Sequence, residues 1–315
     1  MQASIVIVNW NSGKQLLDCV NSIFEYGMDY VDKIVVVDNN STDNSIFYLP
    51  KNEERLKIIL SDINLGFGKA CNLGASNLKS DFILFLNPDA KLLEDTLRKT
   101  MEFMMSQFAK DNKIAVCGVR LNDETGLVHK CCTYFPLLIT YFGHSTGLSK
   151  LFPKKLPYIF MNDFDHLSSR VVNHCIGAYY FMRRDVFEEL RGFDERFFVY
   201  LEDLDLSLRI SKAGWKVYYY AETTAFHKGG GTSEKVKALR LFYSLQSRMT
   251  YSFKHFTKTD ALWVVFLTMF IEPFPRLILA ISHFSKQETK DTLLGYKMLW
   301  KELPTIIRKG FKNDY

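Results

Sequence analysis

Polar residues follow three short apolar runs in the first ninety residues, at the point where each run ends. Residues 4–8, 34–37 and 82–86 are largely apolar, and the polar residues after them are Asn9-Trp10-Asn11, Asp38-Asn39-Asn40-Ser41 and Asn87-Pro88-Asp89. In an open α/β sheet, ligands bind outside the carboxyl ends of the parallel strands. Turn formation and helix capping account for any one of these ends, but less well for all three together with Asn64. The pattern therefore predicts one ligand crevice, in which Asp89 could hold a divalent metal that bridges two phosphates.

A second acidic cluster, Glu202 and Asp203, precedes an apolar pattern that predicts a helix over residues 204–213. Acidic side chains are favourable at any helix N-terminus, which is the structural explanation. The functional explanation is a general base, since a carboxylate in a partly closed site can take a proton from an attacking hydroxyl. His227 ends a later strand, just before three glycines. It could bind a metal or a phosphate, although a lone histidine is more often structural.

Two common phosphate-binding motifs are absent. No G-x-G-x-x-G follows the first strand, and the Gly68-Lys69 pair fails as a P-loop because Ile63 stands at the required glycine and Ala70 follows the lysine. A metal at Asp89 is the alternative way of holding phosphates.

The elements that must position these residues alternate between strands and helices. Continuous apolar runs at residues 4–8, 34–37, 57–60, 82–86 and 114–119 predict strands buried on both faces. Helical patterns occupy residues 14–26, 67–79 and 94–108, and later 186–190, with a further strand at 216–220. This order predicts an α/β fold with a doubly wound, mostly parallel sheet. Residues 125–170 read as a mobile loop or an insertion facing an acceptor.

Composition limits the class of protein. The 315 residues are 47% hydrophobic and 24% charged, as in folded proteins of one large domain with an appendage, or of two domains. Aromatic residues reach 15%, which suits carbohydrate stacking, a membrane interface or an aromatic core. The net charge of +5 is too mild to require nucleic acid, and no recognition module is present. Six cysteines without a CxxC pair argue against a disulfide framework or a zinc site. The start of the chain reads as a strand and not a signal peptide, so we expect a cytoplasmic location.

The C-terminal part of the chain is basic and partly apolar. Residues 228–315 carry 15 Lys or Arg and 7 Asp or Glu. The apolar stretch 261–271 is followed by Glu272 and Pro273 before a second stretch, 277–281. Neither stretch alone supplies the roughly 20 residues of a membrane span. The pattern predicts an interfacial or re-entrant helix pair, with a buried helical hairpin as the alternative.

Six segments, in a fixed order, resemble family 2 glycosyltransferases with the GT-A fold. They are SIVIVNWNSG (4–13), IVVVDNNSTDNS (34–45), NLGFGKACNLG (64–74), DFILFLNPDA (81–90), GAYYFMRRDVFEELRGFDERFFVYLEDLDLSLRISKAGW (177–215) and FHKGGGTS (226–233). The NPD, GFDERFF and H-x-GGG elements look most like the rhamnosyltransferase branch, whose donor is dTDP-rhamnose. The resemblance implies a GT-A domain over 1–235, with a nucleotide-sugar half at 1–120 and an acceptor half at 121–235. A helical, membrane-proximal extension would follow at 236–315.

The resemblance also implies residue roles. Asp38 would contact the base, and Asn9 would lie in the nucleotide-binding turn. Asn87-Pro88-Asp89 matches the family's Asp-x-Asp motif with its first carboxylate replaced, so Asp89 would keep the metal while Asn87 could only donate or accept hydrogen bonds. Asp203 matches the catalytic base, with Glu202 beside it, and His227 matches a residue that helps to bind metal or diphosphate. The remaining residues implied on the nucleotide-sugar side are Asn64, Gly66, Lys69 and Asn72.

These roles together imply an inverting glycosyltransferase that uses Mg²⁺ or Mn²⁺. It would move L-rhamnose from dTDP-rhamnose to a glycan or polyprenyl-diphosphate-linked acceptor in cell-surface polysaccharide synthesis. The expected location is the inner face of the membrane, and a homodimer is allowed for. The alternatives are transfer of another sugar from a UDP donor and a nucleotide-sugar-binding protein without activity.

Overall fold

The computed structural model describes residues 1–229 and 236–312 of the chain. The chain folds into two compact units. The first unit comprises Met1–Tyr134, Phe160–Glu195 and Glu202–Thr232, and the second comprises Phe135–Ile159, Arg196–Leu201 and Ser233–Tyr315. The second unit thus includes two segments that lie before the predicted domain boundary at residue 235. The glycine turn expected after His227 is described only as far as Gly229, and Gly230 and Gly231 lie outside the described residues.

The strands of the first unit are, in chain order, β1 (Ala3–Asn9), β2 (Val31–Asp38), β3 (Leu56–Leu60), β4 (Phe82–Leu86), β5 (Ala90–Lys91), β6 (Ile114–Asn122), β7 (Cys132–Thr133), β8 (Arg170–Val172), β9 (His174–Cys175), β10 (Tyr179–Arg183) and β11 (Lys216–His227). β7 and β9 pair with each other, and the others form one sheet in the order β3-β2-β1-β4-β10-β6-β11-β5, with β8 also paired to β11. β1 is parallel to β2 and β4, while β10 is antiparallel to β4 and β6. The mostly parallel, doubly wound sheet is confirmed.

The described helices are α1 (Lys14–Tyr26), α2 (Phe67–Ala75), α3 (Thr96–Met105), α4 (Gln107–Asp111), α5 (Leu138–Thr146), α6 (Arg184–Glu189), α7 (Glu202–Lys212), α8 (Lys237–His255), α9 (Lys258–Phe266), α10 (Pro273–Ser282) and α11 (Lys286–Phe311). Helix α1 has the bounds predicted from its apolar face, on which Leu16, Val20 and Ile23 are fully buried. Helix α2 packs so closely on β1 that a Cβ at Gly74 would lie 2.5 Å from the Val6 side chain, which explains the glycine.

β11 is much longer than the strand predicted over residues 216–220. Its second half alternates between buried and less buried positions, with Glu222 exposed between Ala221 and Thr223. The prediction stopped early because polar residues on one face interrupt the continuous apolar pattern in the sequence, although the strand itself continues. This extension carries His227 to the end of the sheet where it pairs with Ala90 of β5.

The second unit is helical. Its core includes Leu245 and Met249 of α8, Ala261 of α9 and Leu299 of α11, all fully buried. The segment 125–170, predicted as a loop or insertion, contributes α5 to this unit and β7 to the first.

One described helix, Lys258–Ser282, is long and apolar enough to cross a membrane by length and composition, and 39% of its apolar window is buried. The two apolar stretches predicted as a helix pair lie instead in one helix, because α9 continues through a π turn at Leu267–Ile271 into α10. Pro273 lies in the first turn of α10, where no backbone N–H donor is needed. Glu272 is buried and neutralised by Arg248 of α8 and Arg276 of α10.

Candidate active site

The ends of β1 and β2 are joined by buried side-chain hydrogen bonds. Asn9 Nδ2 lies 2.7 Å from Asp38 Oδ1 and 2.8 Å from Ser45 Oγ. Asp38 Oδ2 accepts a further bond from the backbone N–H of Ser41 at 3.1 Å. Asn9 and Asp38 are 0% and 5% exposed, so their polar groups are held in a fixed geometry at the sheet edge. The structure thus brings these two predicted residues into direct contact.

The loop before α2 is tied to the end of β2 by Asn39. Its amide donates to Gly66 O at 2.8 Å and accepts from Leu65 N at 3.0 Å. Asn64 Oδ1 accepts from Gly66 N at 2.9 Å. Gly66 has φ of 82°, a left-handed conformation that favours glycine. Asn64 and Gly66 therefore belong to a loop that is clamped to the same sheet edge as Asp38.

Asp89 and His227 face each other at the ends of β4 and β11. The distance from His227 Nε2 to Asp89 Oδ1 is 3.4 Å, and the two side chains are 10% and 11% exposed. The Asp89 carbonyl also accepts from the N–H of Lys228 at 3.1 Å. His227 Nδ1 is buried and has no hydrogen-bond partner among the described residues.

Asp203 is linked to the end of β4 by hydrogen bonds that involve the residues just before β10. Asn87 N donates to Ala178 O at 3.1 Å, just before β10 begins. The neighbouring Gly177 N donates to Asp203 Oδ2 at 2.7 Å. A Cβ at Gly177 would lie only 3.1 Å from that oxygen, so the glycine allows the close approach. Asp203 is thus linked, through the adjacent residues Gly177 and Ala178, to Asn87 just after the carboxyl end of β4.

The comparisons with known proteins agree with this arrangement. The sequence model of "Glycosyl transferase family 2" matches residues 4–191, which is more than half of the chain. The chain belongs to glycosyltransferase family 2. It is 26% identical over 213 residues to N-acetylglucosaminyl-diphospho-decaprenol L-rhamnosyltransferase of Mycobacterium tuberculosis CDC 1551, covering 63% of this chain and 67% of the relative. It is 30% identical over 172 residues to rhamnosyltransferase WbbL of Escherichia coli K12, covering 51% of this chain and 60% of that relative.

Solved structures identify the fold of this glycosyltransferase. A mannosyltransferase from Pyrobaculum calidifontis, solved with GDP-Man and Mn²⁺, superposes with a TM-score of 0.54 at 13% identity. The match covers 98% of this chain and 85% of that one. The GT-A fold predicted from the sequence is therefore confirmed.

Lys69 and Asn72 of the glycosyltransferase lie on α2, beside a cavity of about 540 Å³. Lys69 forms an exposed ion pair of 3.5 Å with Glu195. The Asn72 amide donates to Phe193 O at 2.8 Å and accepts from Phe193 N at 2.9 Å. Asn72 thus holds the Gly192-Phe193 turn, which leaves its amide little capacity for a ligand.

Glu202 of the glycosyltransferase is 5% exposed and lies against α2, where a Cβ at Gly68 would come within 3.5 Å of it. Burial is the main cause, and the charge of Asp203 the second, that raises the pKa of this carboxyl well above its usual range. Its Oε2 has no hydrogen-bond partner among the described residues. The surroundings of Glu202 therefore disfavour its charged form.

Sequence reasoning missed residues that support this site from behind. Asn39 and Ser45 lie within a segment that carried the family resemblance, so the signal was present. His174 and Ser207 lie behind Asp203. Ser207 also falls within a segment of the resemblance, 177–215, whereas His174 lies outside all of them.

A separate group, Cys131, Cys132 and His166, has ligand atoms within 4.8 Å of one another. Both ring nitrogens of His166 already bond to backbone groups, Cys132 N at 3.1 Å and Phe164 O at 2.9 Å. Since the group is buried and its histidine is satisfied without an ion, it belongs to the core of the first unit.

Proposed function

We propose that this glycosyltransferase transfers L-rhamnose from dTDP-rhamnose, with inversion, to a glycan or lipid-linked acceptor in the synthesis of a cell-surface polysaccharide. One observation carries the proposal. Asp203 accepts a hydrogen bond from Gly177, next to the point where Asn87 donates to Ala178, which supports a carboxylate base near the Asn87-Pro88-Asp89 motif at the end of β4. An inverting displacement needs a base and a leaving-group site at one sugar, on opposite sides of it.

The nucleotide would be held by the buried edge formed by β1 and β2. The Asp38 carboxylate, fixed by Asn9 and Ser41, can accept hydrogen bonds from a base. The loop at Asn64 and Gly66 would line the same side, while Asn72 would act as its support through Phe193.

Asp89 and His227 fit the role of metal ligands. Their nearest atoms are 3.4 Å apart, so both side chains could contact one divalent ion. His227 Nδ1 has no hydrogen-bond partner in the described ranges 1–229 and 236–312, and a bound group or water would satisfy it. A divalent ion held here, Mg²⁺ or Mn²⁺, would supply electrostatic stabilisation of the departing diphosphate. Asn87, as an uncharged neighbour, would contribute hydrogen bonds only.

Asp203 would take the proton from the acceptor hydroxyl as that oxygen attacks the anomeric carbon. Its side chain is 17% exposed, which leaves room for an acceptor to approach. Bonds from Gly177 N and Leu204 N hold the carboxylate in one orientation. A positioned base of this kind contributes roughly 10²–10⁴-fold to the rate.

The choice of donor and acceptor draws on the relatives. Both named relatives are rhamnosyltransferases, and one acts on a diphospho-decaprenol acceptor by its name. The matched segments span about two thirds of those proteins or less, so substrates are part of the proposal.

A membrane-bound acceptor would give the second unit a role at the inner face of the membrane. Eight large apolar side chains of the helix Lys258–Ser282 are at least 41% exposed, namely Leu262, Trp263, Phe266, Phe270, Phe274, Ile278, Leu279 and Ile281. Basic residues near this helix, including Lys254 and Lys286, would favour anionic headgroups.

The test is transfer and donor hydrolysis over a panel of nucleotide sugars. dTDP-rhamnose, UDP-N-acetylglucosamine, UDP-galactose and GDP-mannose are each assayed with Mn²⁺, with Mg²⁺ and with a chelator. We expect turnover and a raised melting temperature with dTDP-rhamnose, dependent on metal. A preference for a UDP sugar would overturn the donor, and binding without turnover of any donor would favour an inactive binding protein.

A further inference from the structure

A buried chain of hydrogen bonds lies behind the Asp203 carboxylate. His174 Nε2 is 3.7 Å from Asp203 Oδ2. The other ring nitrogen, Nδ1, lies 2.9 Å from Ser207 Oγ, and Ser207 Oγ lies 2.8 Å from the Tyr180 hydroxyl. His174 is 3% exposed, while Ser207 and Tyr180 are fully buried.

The Asp203 carboxylate at one end of this chain determines which atom donates in each hydrogen bond. If Nε2 carried a lone pair, it would face a carboxylate oxygen and be repelled. The favourable arrangement has Tyr180 donating to Ser207, Ser207 donating to His174 Nδ1, and the Nε2–H directed at Asp203. Hydrogen bonds aligned in one direction polarise and strengthen one another.

We propose that His174, oriented by Ser207 and Tyr180, donates from Nε2 to the Asp203 carboxylate and positions it for proton abstraction. This inference rests on the proposed role of Asp203 as the base. The present 3.7 Å separation is longer than a closed hydrogen bond. Such bonds often tighten only when the substrate is bound. His174 is thus a positioning residue and not itself in contact with substrate.

Burial disfavours the charged forms of several titratable groups around Asp203. Burial lowers the pKa of His174 and raises the pKa of the Tyr180 hydroxyl. The pKa of Glu202 and that of the Cys71 thiol are also raised, first by burial and next by neighbouring carboxylates. Arg209, which also faces Tyr180, is paired with Asp205 at 2.8 Å. This pocket can therefore supply a neutral hydrogen-bond donor to the base. The geometry assigns that role to His174.

The test compares kcat, donor KM and the pH–rate profile of His174→Phe, His174→Gln and Tyr180→Phe with those of the native enzyme. Tyr179→Phe is the matched control, because Tyr179 is equally buried but bonds to Thr100 at 3.1 Å. Removing a donor disfavours the charged form of a carboxylate, so the acid limb of the profile should move to higher pH.

We expect His174→Phe to lower kcat about 10–100-fold, with donor KM changed less than twofold. Its acid limb should move up by about one pH unit. Tyr180→Phe should move the same way by less, Tyr179→Phe should match the native profile, and His174→Gln should recover part of kcat through its amide N–H. If His174→Phe fails to fold, Tyr180→Phe and His174→Gln still carry the comparison.

An acid limb that stays in place in His174→Phe, or that moves equally in Tyr180→Phe and Tyr179→Phe, would overturn the inference. Asp203→Asn separates this failure from that of the proposed function. If Asp203→Asn is inactive while the His174 and Tyr180 variants behave as the native enzyme, only the inference fails. If Asp203→Asn turns over normally, the proposed base is wrong.

Discussion

Asp89 is the one charged residue in the Asn87-Pro88-Asp89 segment at the end of β4. His227, contributed by β11, lies 3.4 Å away, and in the proposed metal site it would replace part of the coordinating capacity of a carboxylate at position 87. A carboxylate oxygen suits Mg²⁺ and Mn²⁺ alike, whereas an imidazole nitrogen suits transition metals, so the pair favours Mn²⁺ over Mg²⁺. We therefore predict that metal binding depends on both the Asp89 and the His227 side chain.

Asp89→Asn and His227→Ala should each weaken the Mn²⁺ dependence of dTDP binding. We expect the midpoint of the Mn²⁺ titration, measured by calorimetry at fixed dTDP, to rise at least about tenfold in each variant. Asp111→Asn is the control, because Asp111 lies at the exposed end of α4. An Mn²⁺ midpoint in Asp89→Asn equal to that of the native protein would remove Asp89 from the metal site.

The sequence predicts the position of a polar residue in the fold where that residue directly follows an apolar strand. Asn9, Asp38 and Asp89 each follow an apolar run, and strand ends of a parallel sheet must converge. His174 and Tyr180 could not be found in this way, because their partner Ser207 lies on α7 and only the folded chain brings them together. Asn72 fits the family pattern, yet its amide is taken up by the Phe193 backbone.

Elements buried on both faces were predictable because their apolar runs are continuous, as in β4. The helix Lys258–Ser282 was not, because Glu272 looks like a break when its partners are unknown. Burial alone would raise the pKa of Glu272, but Arg248, Arg276 and His144 outweigh burial and lower it to about 2. Ser145 of α5 also lies 3.1 Å from this carboxylate.

These contacts bear on how the helix would meet a membrane. Crossing the bilayer would require Glu272 to leave Arg248 of α8, and breaking a buried ion pair costs about 3–5 kcal/mol. The exposed side chains Phe274 and Ile278 can instead enter the interface while Glu272 stays paired. We therefore expect the helix to lie in the membrane surface and not to span it.

Phe274→Glu and Ile278→Glu should each reduce binding to phosphatidylglycerol vesicles at least tenfold, since each removes about 1.5–3 kcal/mol of apolar burial. Phe47→Glu is the matched control, because Phe47 is 73% exposed but belongs to the first unit. Co-sedimentation with vesicles, at low and high salt, is the measurement. Equal loss in all three variants, or none in any, would contradict an interfacial role for this helix.

At the scale of the whole molecule, the candidate site is assembled from segments that are distant in sequence. Residues 9–89 would supply the proposed nucleotide and metal side, Asp203 lies at the start of α7, and His227 ends β11. The two residues before α7, Tyr200 and Leu201, have φ of 70° and 65°. Left-handed backbone at non-glycine residues is unfavourable, and it turns the chain just where Glu202 and Asp203 begin the helix. No local pattern predicts such a turn.

In the proposed mechanism, donor binding and proton abstraction depend on different residues, and separating these two functions gives the most direct test. Asp203→Asn changes the base without touching Asp38, Asp89 or His227. Donor affinity and the rate of a single turnover of dTDP-rhamnose are measured on the same preparation. The account predicts donor affinity within twofold of the native value and a turnover rate lower by about 10²–10⁴-fold. A native rate, or a loss of donor affinity that accounts for the whole defect, would contradict it.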